Sequence, residues 1–301
     1  MQKTLISIIG STGIGKTKLA IEMAKHFGTE IISCDSRQFF KEMKIGTATP
    51  TDEELAQAKH HFIGHLSVQD YYSIGQYEED ALEKIEEIFE KNDFAVLVGG
   101  SMMYEKAVVE GLNDLPEANA ENQKNLQRIL DEEGLEKLQE ILKNLDEEYY
   151  NVVHKENPRR LLRAIDVIWQ TGRKYSEIIA EPKHKRDFKV IRIGITAPRE
   201  IMYERINLRV DKMLEKGLID EVKSLTKYQN LVPLQTVGYT EIFKYLEGTW
   251  DLDFAVEEIK KNSRRYAKRQ ETWNRKVENV TWLPYDYSEE QLHEILSKIE
   301  K

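Results

Sequence analysis

The chain has 301 residues, 40% of them hydrophobic and 32% charged, with a formal net charge of −9. That composition describes a soluble globular protein of one or two domains, and no apolar run approaches the ~20 residues a membrane span needs. The single cysteine, Cys34, excludes an internal disulfide, and the first residues carry no signal-peptide pattern, so a cytoplasmic protein without a membrane partner is expected.

In chain order, the first element is an apolar run at residues 5–9, which reads as a strand. Behind it stands Gly10-Ser11-Thr12-Gly13-Ile14-Gly15-Lys16-Thr17, a complete G-x-x-x-x-G-K-T run, and a helical pattern continues to residue 27. Strand before and helix after is the context in which such a run cradles phosphate. The glycines let successive N–H groups face one anion, Lys16 adds a point charge, and the Thr17 hydroxyl offers an oxygen to Mg²⁺. A Gly-rich turn is the plainer alternative. The cradle implies a di- or triphosphate-like group and leaves the reaction open.

The second strand, residues 30–33, runs through Cys34 into Asp35-Ser36-Arg37-Gln38. An acid just past the carboxyl end of that strand faces the crevice in which open α/β sheets bind ligands; a turn-starting Asp is the alternative. A helix over 74–91 and a strand over 94–98 complete a β-α-β-α-β series, which predicts a parallel sheet flanked by helices. The third of these strands ends in Gly99-Gly100-Ser101, where a ligand could approach the backbone closely. It lacks the terminal acid that an NTP hydrolase uses to hold Mg²⁺. Transfer from a pyrophosphate-bearing donor fits a cradle without that acid.

From about 115 to 150 strand signals vanish, and Leu126, Ile129, Leu130, Leu135, Leu138, Ile141 and Leu142 recur at helical spacing, predicting a helical insertion. Arg159 and Arg163 then fall i, i+4 on one helix face after Asn157-Pro158 and, with Arg160, suit phosphate contacts, salt bridges to nearby acids such as Asp166 being the plainer alternative for any one arginine. Residues 190–195 read as another strand of the sheet. Helices follow to about 273, with Leu208, Met213, Leu214, Leu218, Val222 and Leu225 expected to pack on the core; Arg205 and Arg209 repeat the i, i+4 spacing. Eight basic residues lie between Lys260 and Lys276 against one acid, Glu271. A basic groove on an acidic molecule suits RNA; a solvated helix face is the alternative. A terminal helix is expected from 288. His60, His61 and His65 lack the cysteine partners and general base of a zinc site.

With these residues assembled, the chain resembles the tRNA dimethylallyltransferase (tRNA isopentenyltransferase) family, from the cradle nearly to residue 285. Gly10–Thr17, Ser33-Cys34-Asp35-Ser36-Arg37-Gln38, Ile45-Gly46-Thr47-Ala48, His60-His61 and Gly99-Gly100-Ser101 with Tyr104 appear in the family's order. Arg160-Leu161-Leu162-Arg163-Ala164, Val237-Gly238-Tyr239 with Glu241, and Ala267-Lys268-Arg269-Gln270 with Thr272-Trp273 follow. The resemblance implies a P-loop NTPase-like α/β core over 1–113 and 155–301 and a helical insertion over 114–154 that embraces the anticodon stem. It implies transfer of a dimethylallyl group from dimethylallyl pyrophosphate to N6 of the adenine 3′-adjacent to the anticodon in tRNA, releasing pyrophosphate. Gly10 to Thr17 would hold the pyrophosphate, with Mg²⁺ on Thr17. Asp35 would take or orient the N6 proton, and Arg209 would stabilise the leaving group. For tRNA, the implied contacts are Asp35, Ser36, Arg37, Gln38, Ser101, Gln123, Arg159, Arg160, Leu161, Leu162, Arg163, Gly238, Tyr239, Lys268, Arg269 and Gln270. A monomer suffices for this chemistry. Ser11, Gly13, Ser101, Gly64 and Gln123 depart from the family's usual residues, and Gln123 replaces an arginine expected to touch tRNA.

Two other enzymes share parts of this pattern. An adenylate isopentenyltransferase acting on free AMP, ADP or ATP would need neither the insertion nor the basic helix. A P-loop small-molecule kinase would carry arginines in its lid, whereas the insertion here is Glu-rich with only Arg128. A non-enzymatic RNA-binding module would need neither the cradle nor Asp35.

Overall fold

The computed structural model describes residues 2–300. The elements run β1 (Thr4–Gly10), α1 (Lys16–Phe27), β2 (Ile31–Ser33), α2 (Asp52–Leu55), β3 (His60–His61), α3 (Ile74–Phe89), β4 (Phe94–Val98) and α4 (Met102–Glu110). Next come α5 (Ala120–Glu133), α6 (Leu135–Leu145), α7 (Glu147–Val152), α8 (Pro158–Thr171) and α9 (Tyr175–Ala180). The chain closes with β5 (Lys189–Thr196), α10 (Arg199–Glu215), α11 (Leu218–Ser224), α12 (Tyr239–Leu246), α13 (Leu252–Asn274), β6 (Val280–Pro284) and α14 (Glu289–Ile299). Among the described residues no helix is long and apolar enough to cross a membrane.

Six strands form one sheet in the order β3-β2-β4-β1-β5-β6, every pair parallel. The α/β architecture expected from the sequence is therefore present. All seven residues of β1 are buried, because a parallel sheet is covered on both faces and its central strands are apolar on both. Alternate residues serve opposite layers. Leu5, Ala95 and Leu97 pack with α3, α11 and α12, while Ile6, Ile8, Val96 and Val98 pack with α1 and α14. Ser7 interrupts the apolar run at little cost, since its hydroxyl donates to Glu105, which also accepts from Arg192 of β5.

Two edge strands were not visible in the sequence. β3 has two residues, too few to show a period. β6 buries only Leu283 of its five, so its alternation is faint, and Pro284 ends it where an edge tolerates a missing N–H.

The chain divides into two units, Met1–Val109 with Arg186–Lys301, and Glu110–Lys185. The second takes in α8 and α9 as well as residues 114–154. Its core joins Leu126 of α5, Leu138 and Leu142 of α6, and Leu161, Leu162, Ala164, Ile165 and Ile168 of α8. The strongly amphipathic α8 starts at Pro158, and Asn157 caps it through a bond from the Arg160 N–H.

Candidate active site

The carboxyl ends of β1, β2 and β4 open into a cavity of about 850 Å³ in the first unit. Ligands of open parallel sheets bind at this end of the strands, where helix N-termini converge. The turn between β1 and α1 is the glycine run. Gly15 caps α1 at φ 112°, a left-handed value that a side chain resists. Ile14 is driven into the core and anchors the turn, while Thr12, Gly13, Gly15, Lys16 and Thr17 line the cavity. Gly10 and Ser11 are buried beneath it.

Asp35, one residue past Cys34 at the end of β2, lines the same cavity. Its neighbour is the turn after β4. A Cβ on Gly99 would stand 2.4 Å from the Cys34 carbonyl carbon and 2.7 Å from the Asp35 nitrogen. Only glycine lets these two loops touch. Ser101 completes the junction, accepting the Ser36 N–H at 3.0 Å and pairing with the Ser36 hydroxyl at 2.9 Å. Burial holds Cys34 well above the usual thiol range, so it packs rather than reacts.

Two cations face Asp35. Arg209 of α10 lines the cavity and donates to the Thr47 carbonyl at 3.1 Å. Burial lowers its pKa and Asp35 partly restores it. The Lys16 ammonium rests on the Gly10 and Ser11 carbonyls at 3.0 and 2.8 Å. Burial pushes its pKa down to about 8, Asp35 opposing the shift and Arg209 adding to it. An anion in the cradle restores the proton's hold on Lys16. Binding of inorganic pyrophosphate is therefore expected to take up protons near and above pH 8, and to weaken by roughly tenfold per pH unit once the free lysine is neutral. Calorimetry in buffers of different ionisation enthalpy measures the uptake.

The sequence-derived tRNA set divides in the structure. Gln38 lines the cavity and donates to the Thr47 and Ala48 carbonyls, and Arg37 lies beside it with its N–H on Asp35. Lys268 and Arg269 are exposed on α13, the latter over the Tyr266 ring. Arg275 and Lys276 are exposed too, and these four make no ion pair among the described residues, whereas Lys260 pairs with Asp211 and Glu257, and Lys261 with Glu258.

Gln270 does not line the cavity. It is 1% exposed, accepts the Thr12 N–H at 2.9 Å and donates to the Gly100 carbonyl at 2.8 Å, tying the cradle to the turn after β4. Tyr266 reinforces that tie through the same carbonyl, a role nothing in the sequence signalled. Gln270→Leu orphans the Thr12 N–H, at about 1–3 kcal/mol. Thermal unfolding should shift down and the KM for the phosphate-bearing substrate should rise. A variant altered only in its KM for nucleic acid would overturn this.

Tyr239 is fully buried, and Gly238 donates its N–H to Glu241 at the start of α12; neither reaches the cavity. Leu161 and Leu162 belong to the core of the second unit. In that unit Arg159 and Arg160 are exposed, Arg163 is held by Asp166 and the Pro116 carbonyl, and Gln123 is half-buried on α5. Leu208, expected in the core, is 55% exposed and lines the cavity, because Met202, Ile206 and Val210 form the buried face of α10.

Among the described residues no three His, Cys, Asp or Glu side chains could hold a metal together. The oxygen donors in the cavity suit a cation that keeps its waters and takes phosphate oxygens, as Mg²⁺ does.

A family model described as IPP transferase matches residues 38–277. The chain is 50% identical over 300 residues to a tRNA dimethylallyltransferase of Christiangramia forsetii, covering 99% of both, and 45% identical over 280 residues to tRNA dimethylallyltransferase 1 of Bacteroides thetaiotaomicron, covering 93% of this chain and 91% of the relative. Among solved structures it resembles the full-length tRNA isopentenylpyrophosphate transferase of Bacillus halodurans, with a TM-score of 0.73, 35% identity and coverage of 99% and 96%. A eukaryotic dimethylallyltransferase described as acting on tRNA gives a TM-score of 0.85 at 26% identity, covering 99% of this chain and 78% of that one.

Proposed function

Because the chain belongs to the IPP transferase family, we propose that it is a tRNA prenyltransferase moving a dimethylallyl group from dimethylallyl pyrophosphate to N6 of the adenine 3′-adjacent to the anticodon. The observation that carries the site assignment is the convergence of Asp35, Lys16 and Arg209 on one cavity. N6 attacks the allylic carbon bonded to oxygen. As the C–N bond forms the C–O bond breaks, its electron pair leaves with pyrophosphate, and the N6 proton passes to Asp35. The cradle N–H groups, Lys16 and Arg209 hold the charge that develops on the leaving group. Thr17 would hold Mg²⁺ through its hydroxyl, and the ion would neutralise part of that charge. Ser36, Arg37 and Gln38 meet the flipped-out adenine and its neighbours. Lys268 and Arg269 contact the RNA backbone, as do Arg159, Arg160 and Arg163 of the second unit. The protein acts as a cytoplasmic monomer.

The test offers purified protein dimethylallyl pyrophosphate and Mg²⁺ with unmodified tRNA and AMP in parallel. Transfer to tRNA alone is expected. Transfer to AMP would move the protein to the adenylate branch and return the basic end of α13 to a solvated face.

A further inference from the structure

α11 buries Leu218 and Val222 and turns Glu221 toward residues 44–49, the connection ahead of α2. The Glu221 carboxylate gathers four donors. Its Oε2 accepts the N–H groups of Lys44 at 2.9 Å and Ile45 at 2.7 Å; its Oε1 accepts the Gly46 N–H at 2.9 Å and the Tyr239 hydroxyl at 2.7 Å. Three successive backbone N–H groups converging on one anion form a nest, and bonds to a charged acceptor are the strong ones. The Tyr239 ring closes the other side: a Cβ on Gly46 would stand 2.5 Å from it. This anchorage holds a bent backbone, since Ala48 has φ 46° although it is not glycine.

The anchored segment then meets the catalytic groups. Immediately after the nest, the Thr47 carbonyl accepts from Arg209 at 3.1 Å, and the Thr47 and Ala48 carbonyls accept from Gln38 at 3.3 Å each. Glu221 itself does not line the cavity. Its influence on the reaction runs through the backbone it pins. We propose that Glu221, backed by Tyr239, is a positioning residue: by fixing residues 44–48 it sets the Arg209 guanidinium against the pyrophosphate. The proposal rests on the reading of Arg209 as a pyrophosphate ligand.

A double-mutant cycle with Glu221→Gln and Arg209→Lys tests it, read by titration of inorganic pyrophosphate and by transfer kinetics. Glutamine keeps the size of the side chain but points an NH₂ group at backbone donors. Each single variant is expected to weaken pyrophosphate binding about tenfold and to lower kcat. The double variant should lie within about twofold of Arg209→Lys alone, because residues acting through one contact couple. Tyr239→Phe, which removes one donor and keeps the ring, should give a smaller loss of the same kind and serves if Glu221→Gln does not fold. Multiplying effects overturn the proposal, as does a loss confined to thermal stability. Failure of the underlying reading is recognised separately: wild-type protein would bind no pyrophosphate, and both would fall.

Discussion

Asp35→Asn is expected to slow dimethylallyl transfer about 10²–10⁴-fold at saturating donor and tRNA, the usual loss when a positioned proton acceptor is removed. Asparagine keeps the shape at the end of β2, and its amide oxygen can still accept the Arg37 N–H that the Asp35 Oδ1 accepts at 3.2 Å. Two things disappear: the proposed acceptor for the N6 proton, and the negative charge opposite Lys16 and Arg209. Asp35 raises the pKa of both cations against burial. Without it the Lys16 pKa falls further and donor affinity at neutral pH falls with it. A single-turnover rate gives the first effect and a pyrophosphate titration the second. Melting of the ligand-free protein should fall modestly at pH 7, because the residue supports no core but its charge offsets two buried cations. A single-turnover rate within tenfold of the unsubstituted protein would remove Asp35 from the role of base.

The part of this site that the sequence disclosed lies where function and local structure share one signal. The glycine run is contiguous, and its placement between β1 and α1 could be read from an apolar run and a helical period. Asp35 and Gly99-Gly100 were legible for the same reason, each directly following a buried strand. The supports of the site were not. Gln270 reaches the cradle at Thr12 from 258 residues away and Tyr266 reaches the Gly100 carbonyl from 166 residues away, and a buried glutamine that bridges two backbone groups looks like any polar residue on a basic helix. Tyr239 stood beside Gly238 in a motif suggestive of RNA contact and proves to be a wall behind residues 44–48. Leu208 misled through periodicity: residues 206 and 210 bury on α10 while 208 turns to the cavity.

The basic stretch was half informative for a related reason. Counting charges over 260–276 cannot tell a lysine neutralised by its own helix from one offered to a ligand. Lys260 and Lys261 are paired with acids three residues before them, at the ordinary helical spacing. The exposed cations gather toward the C-terminal end of α13, the end that also carries Gln270 and Tyr266. The exposed cations and the residues that align the cradle therefore share one end of one helix, with Arg269 lying over the ring of Tyr266.

Lys16→Met carries the second large effect, and its sign differs between activity and stability. The ammonium is the one side-chain charge inside the cradle run itself, so its loss is expected to lower kcat/KM for dimethylallyl pyrophosphate about 10²–10³-fold, as removal of one preorganised donor to a developing anion does. Stability should move the other way. The folded protein holds Lys16 at a pKa of about 8, below the ordinary lysine value of 10.5, with burial the first cause. In that range the unfolded chain binds the proton more tightly than the folded one, so charged Lys16 destabilises the ligand-free fold at pH 7, and this cost fades as pH rises from 8 toward 10.5. Methionine fills the space without the charge. It forfeits two bonds to the Gly10 and Ser11 carbonyls, which offsets part of the gain. The ligand-free variant should accordingly melt no lower than the parent at pH 7, and the difference should shrink by pH 9. Pyrophosphate, which stabilises the parent by binding the folded state, should stabilise the variant far less. A variant that melts lower at pH 7 and still gains fully from pyrophosphate would show that Lys16 is a structural tie of the glycine run and that the anion is held by the backbone N–H groups and Arg209.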